Sequence, residues 1–275
     1  MGRTRSMSNH GLYLLNIAYQ EKPKNRKIFP DVKKHLYNLF HTEYDDKVDI
    51  AVKQFQKGSE KLFSLYGKNK DSKEIAQLIN NAITQIVILI LTNENEAAKY
   101  FKARYNYDYY LNIIRECIKK GDHNSAIIIW IAITHLAVDR LKFKTRKRDK
   151  RLFKQLLNTY GQVDKNCLKH INEVTFENKL QDEIPSLMML LINLKKSQEY
   201  LKHLKNTHAG FLTERKINSI LELLKKKCLE YKESGSNLRI YTESFKNNIY
   251  FKTHGYKGNY IDLKLIELSK NIKSA

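Results

Sequence analysis

The stretch that decides the fold is GDHNSAIIIWIAITHLAVDRLK, residues 121–142. Gly121 and Asp122 interrupt the chain, and the residues that follow are apolar over an unusually wide face, which includes Trp130. A helix that is apolar around most of its circumference belongs inside a core. This stretch therefore predicts one buried helix over residues 124–141.

Helical patterns continue on both sides of this stretch. Apolar residues recur at helical spacing, and only 3 prolines and 10 glycines interrupt 275 residues. The predicted helices are residues 30–40, 48–66, 72–91, 97–118, 152–172, 213–231 and 262–272, and residues 187–194 form a short apolar segment. We expect an all-α fold, with a basic N-terminal extension at residues 1–30 and a single helical domain at residues 31–275.

The chain is strongly basic, with 50 Lys and Arg against 29 Asp and Glu and a net charge of +21. Such a field attracts polyanions and acidic surfaces. Cys117, Cys167 and Cys228 are sparse and far apart, which argues against a disulfide framework and for a reducing compartment. No cysteine or histidine spacing is typical of a metal site, and no secretory signal is visible, so we expect an intracellular, cytoplasmic protein without metal or cofactor.

Three segments, in this order, resemble the catalytic domain of Ras guanine-nucleotide exchange factors (RasGEF). The first is residues 121–142, preceded by YLNIIRECIKK; the second is EIPSLMMLLINL, residues 183–194; the third is FLTERKINSILELLKKKCLEY, residues 211–231. The end DLKLIELSKNI is also similar to the family's closing motif, so the resemblance covers roughly residues 75–272. Two departures are Met188, where the family has glycine, and Asp182, where it often has proline.

The resemblance implies a RasGEF-like helical domain with a protruding helical hairpin, which pries apart the switch regions of a Ras-family small GTPase and releases GDP. No covalent chemistry is involved, so the chain is not an enzyme in that sense. The first helix of the hairpin corresponds to residues 213–231. On this helix Ile217, Ile220, Leu221, Leu224 and Cys228 fall on one apolar face.

The resemblance also implies roles for individual residues. Ile217 and Leu221 are expected to pack on the domain body, whereas Ile220, Leu223 and Leu224 either pack there or face the GTPase. The family often places a carboxylate in this helix, and that position falls on or beside Leu223, one residue from Glu222. The GTPase-displacing set is thus Ile220, Glu222, Leu223 and Leu224.

Residues near the start of this helix complete the predicted contact surface. Phe211, Arg215 and Lys216 match the family and are expected to bind the GTPase; Phe211 also fits a hydrophobic staple before a helix capped by Thr213. Three further residues have structural roles. Asn124 is a turn or cap residue, Arg140 binds the last carbonyls of the buried helix, and Pro185 opens the short apolar segment.

Other interpretations stay open. The chain is either an active exchange factor, a degenerate domain that binds a GTPase without exchange, or a basic helical protein that binds nucleic acid, although no nucleic-acid motif appears and none is expected as partner. The basic stretch Lys144 to Lys150 is either a solvated loop or a contact with an anionic membrane. The richness in lysine, asparagine and isoleucine favours a bacterial effector, a secreted virulence protein translocated into the host-cell cytoplasm; a eukaryote with an AT-rich genome is the alternative.

Overall fold

The computed structural model describes residues 30–68, 72–93, 96–160, 183–204, 207–232 and 261–273. The chain divides into two compact units, Met1–Asp46 and Lys47–Ala275. Of the first unit the description covers only helical backbone, at residues 30–46. Everything that follows on packing concerns the second unit.

The described residues form nine helices and one minimal β-ladder. The helices are α1 (Pro30–Gly67), α2 (Ser72–Leu91), α3 (Tyr100–Lys119), α4 (His123–Ile133), α5 (Leu136–Asp139), α6 (Lys147–Tyr160), α7 (Leu187–His203), α8 (His208–Glu230) and α9 (Ile261–Lys273). Strands β1 (Thr92–Asn93) and β2 (Glu96–Ala97) pair antiparallel between α2 and α3. The predicted all-α fold is confirmed.

The centre of the domain is α4, which packs against α2 and α3. Every residue from Asn124 to Ile133 except Ile131 is buried. Helix α2 buries most of its last two turns, although Leu89 is 52% exposed. The predicted burial of both helices is confirmed.

Among the described residues, α2 is the helix whose length and apolar composition would allow it to cross a membrane. A core helix in a water-soluble protein meets the same criterion. Since α2 contacts α3, α4, α5, α7 and α9, its apolar surface is used largely for packing inside the domain.

The predicted helix over residues 124–141 is wrong in its last third. Helix α4 ends at Ile133, where Thr134 Oγ1 donates to the Trp130 carbonyl at 2.9 Å. His135 then adopts an extended backbone, and its Nδ1 accepts from the Ala137 amide at 3.2 Å to cap α5. Thr134 and His135 thus satisfy backbone groups locally, which lets the chain turn without exposing unpaired groups in the core.

Several other helix ends differ from the predicted ones. Helix α6 begins at Lys147 and α7 continues to His203, because polar residues extend both helices on their solvent side. Helix α8 begins at His208, where the Thr207 Oγ1 accepts from the Gly210 amide at 3.0 Å. The prediction that Thr213 caps this helix is wrong, since Thr213 Oγ1 donates to the Ala209 carbonyl at 2.8 Å inside it. Residues 161–172 lie outside the described ranges.

One buried amide joins three helices. Asn124 is fully buried; its Nδ2 donates to Ser59 Oγ of α1 at 3.0 Å, and its Oδ1 accepts from the Leu187 amide, the first of α7, at 3.0 Å. Ser59 Oγ also lies 2.8 Å from Ser125 Oγ. Asn124 therefore caps a helix distant in sequence, whereas the cap of its own helix is Asp122.

We expect Asn124→Ala to lower the free energy of unfolding by about 1–3 kcal/mol, because it leaves the buried Leu187 amide without its acceptor. Urea denaturation measures this. The matched control is Asn80→Ala on the exposed side of α2, which should stay within about 0.5 kcal/mol of wild type. Equal effects of the two substitutions would contradict the role of Asn124.

Candidate functional site

Helix α8, to which the resemblance assigns the GTPase-displacing role, is fixed to the domain along one face. Gly210, Ile217, Ile220, Leu224 and Lys227 are its buried residues, and α7 is its main neighbour. The two helices meet closely at their corner, where a Cβ on Gly210 would lie 2.2 Å from the Leu204 carbonyl oxygen. Only glycine fits there.

The rest of the α8 surface carries several large apolar side chains in solvent. Phe211 and Leu229 are each 63% exposed, Leu212 is 50% exposed, and Leu221, at the edge of the buried face, is 43% exposed. Charged side chains stand among them, namely the exposed Arg215, Glu222, Lys225 and Lys226. Exposed apolar residues interspersed with charges along one helix are typical of a protein interaction surface.

A groove of about 480 Å³ runs along this surface, between α8 and the end of α1. Its lining includes Tyr66 from α1 and Leu221, Lys225 and Leu229 from α8. The helices approach so closely at its floor that a Cβ on Gly67 would lie 2.8 Å from the Cβ of Cys228. The groove therefore has a rigid floor and an apolar rim.

The predicted displacing residues separate into two groups. Ile220 and Leu224 are buried at 0% and 2% exposure, so they pack on the domain body. Glu222 is exposed and Leu223 is half-buried. Leu221, which was expected to pack on the body, is 43% exposed and lines the groove at the edge of the buried face.

The predicted binding residues lie in the first turns of α8. Phe211 and Arg215 are exposed, one helical turn apart, and Lys216 is half-buried. Phe211 does not precede the helix as expected but lies within it, because α8 begins at His208. The proposed staple with Thr213 is therefore wrong, whereas exposure leaves Phe211 available for a partner.

The residues with predicted structural roles lie at helix ends. Pro185 is buried immediately before Ser186, whose Oγ accepts from the Met189 amide at the start of α7. Arg140 is the C-cap residue of α5, so it does not reach the last carbonyls of the buried helix, which ends at Ile133. Its Nε is buried and has no hydrogen-bond partner among the described residues.

Sequence reasoning missed Lys227, which anchors the end of α8. Its side chain is fully buried, its Nζ lies 2.9 Å from Glu230 Oε2, and it sits over the Tyr231 ring at 5.6 Å. Tyr231 in turn contacts Phe63 of α1 at a centroid distance of 6.1 Å. The available signal was helical spacing, since Lys227 follows Ile220 and Leu224 on the buried face.

A second polar cluster lies at the turn before α4. Residues Gly121 and His123 bond the Ile184 backbone, so the turn and the segment before α7 form a short parallel bridge. Asp122 is fully buried; its Oδ1 accepts from the Ser125 amide at 3.0 Å, while its Oδ2 has no hydrogen-bond partner among the described residues. Burial raises the pKa of Asp122 to about 6.

The pKa of the neighbouring histidine, His123, shifts in the opposite direction. His123 Nε2 lies 3.1 Å from Glu183 Oε2, and burial lowers the pKa of His123 to about 4. Burial raises the pKa of Glu183, an effect that the positive charge of Lys227 opposes. The charge on Lys227 thus links this turn to the end of α8.

Metal chemistry finds no support in the part of the chain that the structure describes, where no three His, Cys, Asp or Glu side chains are grouped to hold an ion. No protein-family model matches this chain, and no curated protein matches it in sequence. The RasGEF resemblance therefore stays a hypothesis that depends on the three quoted segments and on the geometry of α8.

The two shifted groups should have opposite effects on stability between about pH 4 and pH 6.5. Asp122 holds its proton longer when folded, so its contribution falls as the pH rises. His123 resists protonation when folded, so its contribution rises with pH. We expect the unfolding free energy of Asp122→Asn, relative to wild type, to rise by up to about 3 kcal/mol from pH 4 to pH 6.5. For His123→Gln, the same difference should fall by up to about 3 kcal/mol over this range.

Urea denaturation of both variants and wild type across this range measures the two slopes. The wild type is the control for both variants, because the other carboxylates contribute equally to the pH dependence of all three proteins. Slopes of the same sign for both variants, after subtraction of wild type, would contradict this assignment.

Proposed function

We propose that this chain is a guanine-nucleotide exchange factor for a Ras-family small GTPase, and that α8 is the element that displaces the switch regions. The observation that carries the proposal is that α8 is buried along one face and exposes large apolar side chains elsewhere. One face is fixed to the domain by Ile217, Ile220 and Leu224, while Leu221, at the edge of that face, and Phe211, in the first turn, are exposed to solvent. The order of the three family-like segments supports the same function.

Exchange requires the factor to bind the nucleotide-free GTPase more tightly than the nucleotide-bound form. Nucleotide and exchange factor then weaken each other's binding by the same free energy. A helix held rigidly on one side suits this task, because little conformational freedom remains to be lost when its exposed side enters a partner. Anchoring by Lys227 and Tyr231 supports this rigidity at the end of α8.

Burial changes which residues we assign to contact with the GTPase. Ile220 and Leu224 support the helix from below. The displacing contacts fall on Leu221, Glu222 and Leu223, and the binding contacts on Phe211, Arg215 and Lys216. Exposed Glu222 is the residue in this set whose charge would repel phosphate and compete for magnesium.

The proposed setting is the cytoplasm, in which small GTPases signal. The amino-acid bias supports a bacterial effector that acts inside a host cell. Detection of the protein in the host cytoplasm during infection would test this setting, and its absence from infected cells would contradict it.

The exchange proposal predicts that the full chain accelerates release of fluorescent GDP from at least one member of a panel of Ras-family GTPases. Leu221→Asp should lower the rate by at least about tenfold, because it replaces an exposed apolar side chain at the groove beside α8 with a charge. The matched control is Leu263→Asp on α9, where the leucine is 62% exposed. That variant should exchange within about twofold of wild type.

Two results would overturn parts of this proposal. Binding to a nucleotide-free GTPase without faster release would indicate a degenerate GTPase-binding domain. Absence of both binding and release with every GTPase, together with tight, salt-dependent binding of bulk nucleic acid, would indicate a nucleic-acid-binding protein.

The position of the functional carboxylate is a separate prediction. If Glu222 competes with phosphate and magnesium, Glu222→Gln should lower the maximal exchange rate by about tenfold and leave GTPase affinity nearly unchanged. Glu214→Gln, an exposed glutamate earlier on α8, is the control and should change neither quantity. A Glu222→Gln rate equal to wild type would leave steric displacement by Leu221 and Leu223 as the mechanism.

A further inference from the structure

A second exposed surface lies away from α8, on the first half of α3. Three aromatic side chains are largely in solvent there: Phe101 is 59% exposed, Tyr105 is 49% exposed and Tyr100 is 44% exposed. Exposed Lys99 precedes them, and the Lys102 Nζ lies 5.2 Å from the Tyr105 ring centroid. The first half of α3 thus presents aromatic rings and ammonium groups to solvent.

The basic segment between α5 and α6 is held against this helix. Phe143 packs between Tyr100 and Tyr107, with ring centroids 5.3 Å and 5.0 Å away. The Arg104 Nη1 donates to the Lys144 carbonyl at 2.7 Å. The segment is therefore held along α3 at Phe143 and at the Lys144 carbonyl, while the side chains of residues 144–147 are exposed, as in the predicted solvated loop; from Lys147 onward the basic stretch is helical.

Nearby acids are already engaged by arginines or lysine. Asp108 is buried and pairs with Arg104 at 2.9 Å and with Arg146 at 2.5 Å. Asp149 is buried and pairs with Arg115, and exposed Asp139 pairs with Lys142 at 3.1 Å. The surface formed by residues 99–105 and 142–147, the α3 docking face, is consequently positive.

We propose that the α3 docking face binds the surface of an anionic lipid bilayer. Phe101, Tyr100 and Tyr105 would lie at the headgroup level, where aromatic side chains are favoured. Exposed Lys99, Lys144 and Lys147 would face the anionic headgroups, where each cation contributes to attraction.

The geometry favours a bilayer over single-stranded nucleic acid. Strand-binding proteins place stacking aromatics inside a positively charged groove. Here the three exposed rings lie along one helix, and Arg104 already lies over the rings of Tyr107 and Phe143, at 5.5 Å and 5.6 Å from their centroids. Arg104 and Arg146, which suit bidentate recognition of phosphate, are paired with Asp108. The exposed cations include lysines, which act as point charges on a flat anionic surface.

Co-sedimentation of the full chain with vesicles tests the proposal. Wild type should bind vesicles of phosphatidylcholine with phosphatidylserine and not vesicles of phosphatidylcholine alone. The double variant Lys144→Glu with Lys147→Glu should weaken binding by at least about 25-fold, from about fivefold for each cation lost. Phe101→Ser should weaken it by about tenfold, since the ring no longer leaves water on docking.

The matched control changes charge equally at another site. Lys53→Glu with Lys57→Glu, on exposed positions of α1, alters the net charge by the same amount and should weaken vesicle binding by less than about fivefold. All substituted positions are exposed, so circular dichroism should match wild type, and these variants should retain exchange activity measured without lipid. The proposal is therefore separable from the proposed function.

Three outcomes would overturn the proposal. The first is no preference of wild type for phosphatidylserine. The second is equal loss of binding in the α1 control and in the Lys144 and Lys147 variant. The third is that the variants of the α3 docking face lose binding to a single-stranded oligonucleotide but keep binding to vesicles. That result would assign the face to nucleic acid.

Discussion

The fold depends on the burial of α4. Nearly all of its apolar residues are buried, and α2 and α3 pack around it. A helix buried this way needs its terminal polar groups satisfied inside the protein. Asp122 does this at its start, and Asn124, in the first turn, ties α1 and α7 to the same point. Core packing and helix capping are therefore joined at one end of one helix.

That junction also determines where α8 stands. The turn before α4 forms a bridge with the segment that enters α7, and α7 is the helix against which α8 packs. At its far end, α8 returns to α1 through Lys227, Tyr231 and Phe63. The exposed face of α8 is thus oriented by contacts at both ends, which is the property that the proposed exchange activity needs.

Much of the fold could be predicted from sequence because burial leaves a local pattern. The wide apolar face of residues 124–133 predicts a core helix, whereas Thr134 and His135 carry no unique signal, since both residue types occur inside helices and at caps. Lys227 reads as a surface residue unless its place on the helical face is counted. The groove beside α8 had no local signal, because it forms where distant segments meet. The basic stretch Lys144 to Lys150 gave a signal for one part of the α3 docking face, but its packing against the aromatic residues of α3 did not. The assignments of Glu222 and Phe211 to a partner remain predictions.

The exposed leucines and phenylalanine of α8 have a consequence for the behaviour of the protein in solution. An apolar helix face of this kind favours self-association, in which two copies cover each other. A net charge of +21 opposes this, because copies repel one another before their apolar faces meet. Salt shortens the reach of that repulsion. The basic composition thus opposes self-association of the protein, so that the exposed apolar side chains of α8 can stay in solvent at low salt.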